Sequence, residues 1–394
     1  MVAKFTRRID RVDGLAQFLA LARKIIPRKA TFTRRNGSVD GLPILTHICF
    51  DGGKVMASDL NNTLVMKTDL SAEAITKADL SQSFTIAFEL LNKIMKQKPR
   101  SFTVEANHPK VMICYDNRKV SFTSLDVDEF PVHPDEITER LDSWNQDQIK
   151  LFTSQSAFVS SDELKPALTG VFIRSNGSLE SCATDGHMLR LVKSESESHK
   201  NYEILLHSIS LEVILQGSRS EVDVFEGKTH YRFALSRTID LYVRKLGVEY
   251  PDFKRVIPDN LPEKVQIGYG DFMDLIRSSK PFVNKETKLV EVTVEKTFLN
   301  AHVNNPDESL SWSGTIPILS NDGGDCRIGF DVGFLEKLVG SINADTLTWS
   351  HNGPEKASIF SGDTKTNEIN LLMPVRLNRR NESEDGLNDE ENQP

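Results

Sequence analysis

The chain has 394 residues, 39% of them hydrophobic and 26% charged, with a formal net charge of −8. This is the composition of a soluble globular protein too long for one hydrophobic core, and no apolar run nears the roughly 18 to 20 residues that a membrane span requires. Four cysteines, Cys49, Cys114, Cys182 and Cys326, stand far apart with no C-x-x-C pair and no clustered histidines, a pattern of buried free thiols that argues against zinc and leaves no metal or cofactor to expect. Met1 to Arg8 carries neither an apolar core nor a small-residue cleavage site, so a cytoplasmic location is expected.

Val12, Leu15, Leu19, Ala22 and Ile26 recur at helical spacing and predict an amphipathic helix over 11–26, closed by Pro27. Residues 42–50 and 54–59 read as strands around the Asp51-Gly52-Gly53 turn. A second helix is predicted over 87–97 with Phe88, Leu91 and Met95 on one side, and three strands follow to about Leu125. Ser143 is the predicted N-cap of a helix over 144–155. Strands follow around 170–173 and 181–192, then a short apolar helix over 209–216, then strands again to Tyr250. Phe272, Leu275, Ile276 and Ser279 mark a further helical face, and 330–342 another helix with Phe334, Leu335, Leu338 and Val339 inward. A final strand is predicted over 368–377, and the whole reads as α+β with antiparallel strands.

Two sets of markers repeat at one spacing. A strand-like run ends in a polar turn at Val55-Met56-Ala57-Ser58-Asp59, at Ser181-Cys182-Ala183-Thr184-Asp185 and, more loosely, at Ala301-His302-Val303-Asn304-Asn305. A large hydrophobic residue precedes proline at Phe130-Pro131, Tyr250-Pro251 and Met373-Pro374. Both sets give a period of roughly 120 residues, far longer than a solenoid repeat and the usual size of a domain. Three related domains in series are therefore expected, over 1–138, 139–261 and 262–377. The last 17 residues, 378–394, follow with six acids and two arginines and read as an acidic disordered tail.

Positive charge gathers on the predicted helices. Arg23, Lys24 and Arg28 lie on or just beyond the first, Arg34 and Arg35 follow in the next turn, Lys93, Lys96 and Lys98 lie on or beside the second, and Arg277 and Lys280 belong to the third domain. A positive surface in an acidic chain suits a phosphate backbone, although lysines on any one helix are commonly just a solvated face. The middle domain adds little beyond Lys150 and Arg219. With no zinc finger and no paired aromatics, contact with nucleic acid would be independent of sequence and sensitive to salt.

Three longer runs resemble signatures of a known family: Ala183-Thr184-Asp185-Gly186-His187-Met188-Leu189, Tyr250-Pro251-Asp252-Phe253-Lys254-Arg255-Val256-Ile257-Pro258, and Leu372-Met373-Pro374-Val375-Arg376-Leu377. They are similar to the bacterial DNA polymerase III beta subunits, the beta sliding clamps. Leu42-Pro43-Ile44-Leu45, Asp128-Glu129-Phe130-Pro131 and Asn304-Asn305-Pro306 extend the likeness in order. The resemblance covers residues 1–377. It implies three clamp domains of two helices plus antiparallel sheets, a head-to-tail homodimer closing a six-domain ring, and helices lining a hole that takes duplex DNA. The implied partners are duplex DNA, the DNA polymerase III catalytic subunit, a clamp loader and other replication and repair proteins; nothing in the sequence resembles an ATP site of its own.

The family's partner site is a hydrophobic cleft for short linear peptides. Carried over, it comprises Leu168, Thr184, Gly186, His187, Leu189, Pro251, Arg255, Val256, Met373, Pro374, Val375, Arg376 and Leu377. Three positions depart from the common pattern: Met188 stands where arginine is common, Thr287 falls near a usual aromatic, and Phe334 falls where tyrosine is frequent. The resemblance places Val120 and Phe122 of one subunit against Phe282 of the other at the dimer seam, although each is equally readable as a core residue. Two rival classes stand beside this reading. Asp185 next to His187 suggests a general base and a hydrolase, but no serine, cysteine, phosphate-loop or metal motif accompanies them, and an aspartate bonding its own turn is the plainer account. The sparse basic content of the middle domain suggests a clamp-like paralogue that does not encircle DNA.

Overall fold

The computed structural model describes residues 5–9, 12–27, 32–33, 39–51, 53–67, 83–131, 137–363 and 367–377. The predicted tail, together with Arg28, Arg34 and Arg35, lies outside them. Six α-helices occur among the described residues: α1 (Val12–Ile25), α2 (Phe88–Met95), α3 (Gln146–Ser154), α4 (Ser208–Gly217), α5 (Tyr269–Ser279) and α6 (Val332–Val339). None is long and apolar enough to cross a membrane. The chain forms two compact units, one of residues 1–156, 169–181 and 194–249, the other of 157–168, 182–193 and 250–394.

The first unit is built on an eight-stranded antiparallel sheet. Its strands run in the order Ile137–Trp144, Val222–Gly227, His230–Ala234, Ile239–Arg244, Asn62–Lys67, Lys54–Ser58, His47–Asp51, Phe84–Ala87. Residues from the first two repeats share this sheet, because Leu64 pairs with Leu241 at its centre. Both central strands are buried along five consecutive residues, which requires cover on both faces. On one face α1 lies over Lys54–Ser58 and Asn62–Lys67 while α4 contacts Ile239–Arg244, and the helices also pack on one another. Leu15, Phe18, Leu19, Ala22 and Ile25 form the buried stripe of α1, and burying Phe18 alone contributes about 2 kcal/mol. Elsewhere in the unit Ile44, Leu45, Cys49, Met56, Val65, Phe130 and Tyr242 form one cluster, so two of the recognised runs meet in a single core. A second sheet, in the order Phe5–Ile9, Phe102–Asn107, Lys110–Tyr115, Arg118–Thr123, completes the unit.

The second unit repeats the plan. Its larger sheet starts from Gly170–Thr184 and Met188–His207, two strands that contribute residues to both units. It continues through Glu368–Leu372, Ser358–Gly362, Thr346–His351 and Glu263–Gly268 to Ser320–Asn321. Phe272, Phe330, Trp349 and Phe360 stack edge and face in its core, all fully buried. The smaller sheet runs Leu310–Pro317, Phe298–Asn305, Leu289–Val294, Cys326–Asp331.

Four local expectations need correction. Ser143 lies in the Ile137–Trp144 strand, and α3 is capped by Asn145, whose side chain accepts from Gln148 N (2.9 Å) while the Gln148 side chain accepts from Asn145 N (2.8 Å). The strand predicted over 42–50 begins only at His47, because Pro43 opens a 3₁₀ turn over Pro43–Thr46. The terminal strand stops at Leu372, and Val375 instead forms a single bridge to Gly329. Phe334 is half-buried and stacks on His187, so it is not a core residue of α6.

The repeat is visible as one turn built twice. Asp59 Oδ1 accepts from Asn61 N (2.9 Å) and Asn62 N (2.6 Å), and Ser58 Oγ accepts from Leu60 N (3.1 Å). Asp185 Oδ1 accepts from His187 N and Met188 N (both 2.9 Å), and Thr184 Oγ1 accepts from Gly186 N (3.1 Å). Asn305, the third marker, ends a strand but is used differently: its amide donates to Phe282 O (3.5 Å). Both Asp-capped turns need a left-handed residue, supplied by Gly186 (φ +95°) in one and by Leu60 (φ +78°) in the other. Leucine is strained there and its side chain is exposed. Leu60→Gly is expected to raise the unfolding free energy read from urea titration by up to about 1 kcal/mol, whereas Gly186→Ala lowers it by about the same.

Candidate functional site

Every residue of the expected cleft falls within the second unit. The turn at Thr184–Met188 organises it. With its amides satisfied by Asp185, this turn presents His187 O outward to accept from Met373 N (2.8 Å), which fixes the start of the Met373–Leu377 run. That run is then held at Gly329, whose carbonyl accepts from Val375 N (2.8 Å). Tyr250 anchors the third segment beside the same strand: its hydroxyl lies 4.0 Å from Cys182 Sγ, and burial pushes its pKa up. Pro251 follows it, and the 3₁₀ turn Phe253–Val256 then buries Phe253 and turns Arg255 and Val256 outward. Leu168 closes the set: its carbonyl accepts from Ser160 N (2.8 Å), and Phe158 in the same segment lies under the Arg190 guanidinium.

Exposure separates lining from support. Val256 (53%) and Met373 (41%) are exposed apolar side chains; Leu168, Thr184, Pro374, Val375 and Leu377 are half-exposed, and Arg255, Arg376, Gly186 and His187 face solvent. Leu189 is buried and supports the floor. The His187 ring stacks on Phe334 at 5.1 Å between centroids, 15° from parallel. The exposed apolar side chains of this set are Val256 and Met373, with the exposed cations Arg255 and Arg376 near them in sequence. The Asp185 carboxylate is spent on its own turn, so it does not orient His187 as a base.

Sequence reasoning missed two features of this unit. Arg190 and Glu368 form an ion pair (3.1 Å) that is only 5% and 7% exposed, tying the Met188–His207 strand to Glu368–Leu372 directly under the cleft segments. The signal was present as a single charge within Met188-Leu189-Arg190-Leu191-Val192. The second feature is a Cys326, His351, Glu263 alignment, with Sγ 3.4 Å from Nε2 and Nδ1 3.6 Å from the carboxylate. Burial holds the Cys326 pKa at about 11 and lowers that of His351, so the thiol stays protonated and is a poor nucleophile.

The expected DNA-facing cations divide into two groups. Arg23 is exposed, its guanidinium 5.6 Å from the Phe88 ring centre, and Lys93, Lys96 and Lys98 are exposed with no ion pair to a described residue. Lys24 is held by Glu212 at 2.6 Å. Arg277 (3.4 Å) and Lys280 (2.5 Å) share Glu336 on α6, whose pKa they lower, the Lys280 hydrogen bond most of all. At the expected seam, Val120 and Phe122 lie half-buried on Arg118–Thr123, which ends one four-stranded sheet. Phe282 stacks on Trp312 (6.1 Å) of Leu310–Pro317, which ends the other.

Gly329 is where the Met373–Leu377 run is most easily tested. A Cβ there would stand 2.8 Å from both Val375 O and Leu377 Cδ2 and 2.9 Å from Leu289 Cδ1, a clash with backbone on one side. Gly329→Ala is expected to cost about 1 to 3 kcal/mol and to abolish hydrogen-exchange protection at Val375 N–H, while the Met373 N–H bond to His187 survives.

No family model matches the chain. It is 26% identical over 278 residues to the beta sliding clamp of Staphylococcus epidermidis, a match that covers 68% of this chain and 72% of that one. In fold it is similar to the solved DNA polymerase III subunit beta of Pseudomonas aeruginosa (TM-score 0.80, 19% identity, 95% of this chain and 100% of that one). It is also similar in fold to the DNA polymerase sliding clamp of Bacillus subtilis (TM-score 0.79, 20% identity, 95% and 99%). In sequence over two thirds of its length, and in fold over nearly all of it, the chain is similar to the bacterial beta sliding clamps, the beta subunits of DNA polymerase III.

Proposed function

We propose that this chain is a DNA polymerase processivity factor, non-enzymatic and cytoplasmic. Two copies, each of three domains over 1–138, 139–261 and 262–377, close head to tail around duplex DNA. The observation that carries the reading is the fold match, which spans 95% of this chain and the whole of a solved beta subunit. Arg23, Lys93, Lys96 and Lys98 are the cations available to phosphates, with Lys24, Arg277 and Lys280 partly neutralised by their acids; such contacts carry no sequence information and weaken with salt. The DNA polymerase III catalytic subunit and other replication and repair clients would dock short apolar segments in the cleft around Met373 and Val256. Tethering raises a client's effective concentration at the primer end without any change in its chemistry. Opening the ring falls to a clamp loader.

The dimer follows from unfinished sheets. Arg118–Thr123 and Leu310–Pro317 each stand at the end of a four-stranded sheet and carry rows of half-exposed apolar side chains: Val120 and Phe122 on one, Leu310, Trp312 and Ile316 on the other. Such an edge is stable in water only when covered, and the matching edge of a second copy covers it. A second reading, a clamp-like paralogue that binds partners without encircling DNA, is favoured by the pairing of Lys150 with Asp147 (3.4 Å) and of Lys24 with Glu212, which leaves the middle of the chain weakly basic.

Retention on nicked circular DNA in the presence of a clamp loader separates the two readings. A clamp remains on the circle in high salt and runs off once the circle is cut; loss with salt from circle and linear form alike would establish the paralogue. For the dimer, Trp312→Ala is expected to weaken self-association by about 2 kcal/mol, roughly 30-fold in dissociation constant. Sedimentation equilibrium reads that shift, and an unchanged dimer would remove the Leu310–Pro317 edge from the interface.

A further inference from the structure

The Met373–Leu377 run of the expected cleft leads in sequence directly into the acidic segment 378–394. Leu377, the last described residue, lies against Gly329, and Met373 and Val256 of the expected cleft are exposed. Around them stand the exposed cations Lys254, Arg255 and Arg376; Arg255 pairs with Asp252 (3.0 Å), yet its side chain is 84% exposed. The 17 residues that follow are strongly acidic and contain one large apolar side chain, Leu387. Three acids, Glu382, Glu384 and Asp385, precede that leucine and three, Asp389, Glu390 and Glu391, follow it. We propose that this segment is a ligand of the chain's own cleft, with Leu387 on the Val256 and Met373 surface and the flanking acids against Lys254, Arg255 and Arg376.

Reach and tethering support the assignment. Leu387 is the tenth residue after Leu377, about 33 Å away when extended and about 17 Å as a coil, ample for a site that begins at Leu377 itself. A short tether supplies an effective concentration in the millimolar range, so an intrinsic dissociation constant of about 0.1 to 0.5 mM leaves the cleft mostly occupied. An incoming client then binds about three- to ten-fold more weakly than it would to a vacant cleft. Clients with several apolar anchors still displace a segment that has only one, so the tail filters weak ligands. Because the contact is largely ionic and exposed, salt weakens it.

The inference rests on the reading of this cleft as a client site, and the test keeps the two apart. The probe is a fluorescein-labelled linear peptide with several apolar anchors, taken from the DNA polymerase III catalytic subunit, titrated by anisotropy against full-length chains. Two variants lie wholly outside the described residues: Leu387→Ser, and the six acids changed together to their amides (Glu382→Gln, Glu384→Gln, Asp385→Asn, Asp389→Asn, Glu390→Gln, Glu391→Gln). Both variants are expected to bind the probe about three- to ten-fold more tightly than the parent at 50 mM salt, with the difference shrinking toward none at 0.5 M. Equal affinity of parent and variants at low salt overturns the tail as ligand and leaves the client cleft standing. No binding to any chain overturns the cleft reading, and the tail proposal with it. Probe binding that survives Met373→Asp with Val256→Asp places the peptide elsewhere and overturns both.

Discussion

A carboxylate that accepts two amides of its own turn sets the geometry from which both units grow. At Asp59 and again at Asp185 it reverses the chain in three residues and aims one carbonyl outward, Asn61 O in the first unit and His187 O in the second. Each carbonyl accepts at 2.8 Å from a backbone amide of a strand far along the chain, Arg244 N in one and Met373 N in the other. The register of the sheet seams follows, Asn62 against Val243 and Met188 against Leu372. Because a strand shifted by one residue turns its buried side chains to solvent, the turn also selects which residues reach the core. Asp59 bears a cost for this role: burial raises its pKa and its hydrogen bonds lower it again only in part, so the ionised form is tolerated because the turn needs it.

The same frame is closed in one unit and open in the other. Each has a four-residue 3₁₀ turn leading into a strand, Pro43–Thr46 and Pro166–Thr169. Leu45, third in the first turn, is fully buried against Phe130 and Tyr242, while Leu168, third in the second, is half-exposed. Arg244 stands where the second unit has Met373. The first unit therefore finishes its own core, whereas the second leaves apolar side chains unfinished at the matching place. Under the proposed function, another segment would supply the missing layer at this place, as a linear apolar peptide does in a groove.

What could be read from the sequence was whatever is encoded locally. The six helices follow from apolar spacing such as Leu15, Leu19 and Ala22 or Phe272, Leu275 and Ile276, and the repeated Ser-Asp and Thr-Asp turns announce themselves by residue type and distance. The misreadings came from competition between neighbours. Asn145 outbids Ser143 as the α3 cap because Gln148 three residues on can return its hydrogen bond, and Pro43 removes the amide that a strand at 42–46 would need. Ion pairs were out of reach, since Arg190 and Glu368 are 178 residues apart and meet only through sheet register. The grouping into two units was equally hidden. The period of about 120 residues marks repeated chain, while hydrogen bonding between strands of different repeats decides which of them share a compact body.

Charge on the helices was legible in number but not in effect. Counting Arg277 and Lys280 as two free cations overstates the field they produce, because Glu336 sits between them and is held ionised by both. Lys24 is likewise tied to Glu212. If the chain encircles a duplex as proposed, such pairing has a use: a cation already satisfied by an internal acid gains little by exchanging it for a phosphate, so each contact is shallow and the barrier between successive positions is low. Strong, unopposed cations would deepen every position by the energy of counterion release and turn sliding into a series of stops. Among the described residues expected to face DNA, the unpaired lysines are Lys93, Lys96 and Lys98, on or just beyond α2, while Lys24, Arg277 and Lys280 are damped. That distribution favours orientation over grip, which is what the proposed enclosure of a duplex would call for.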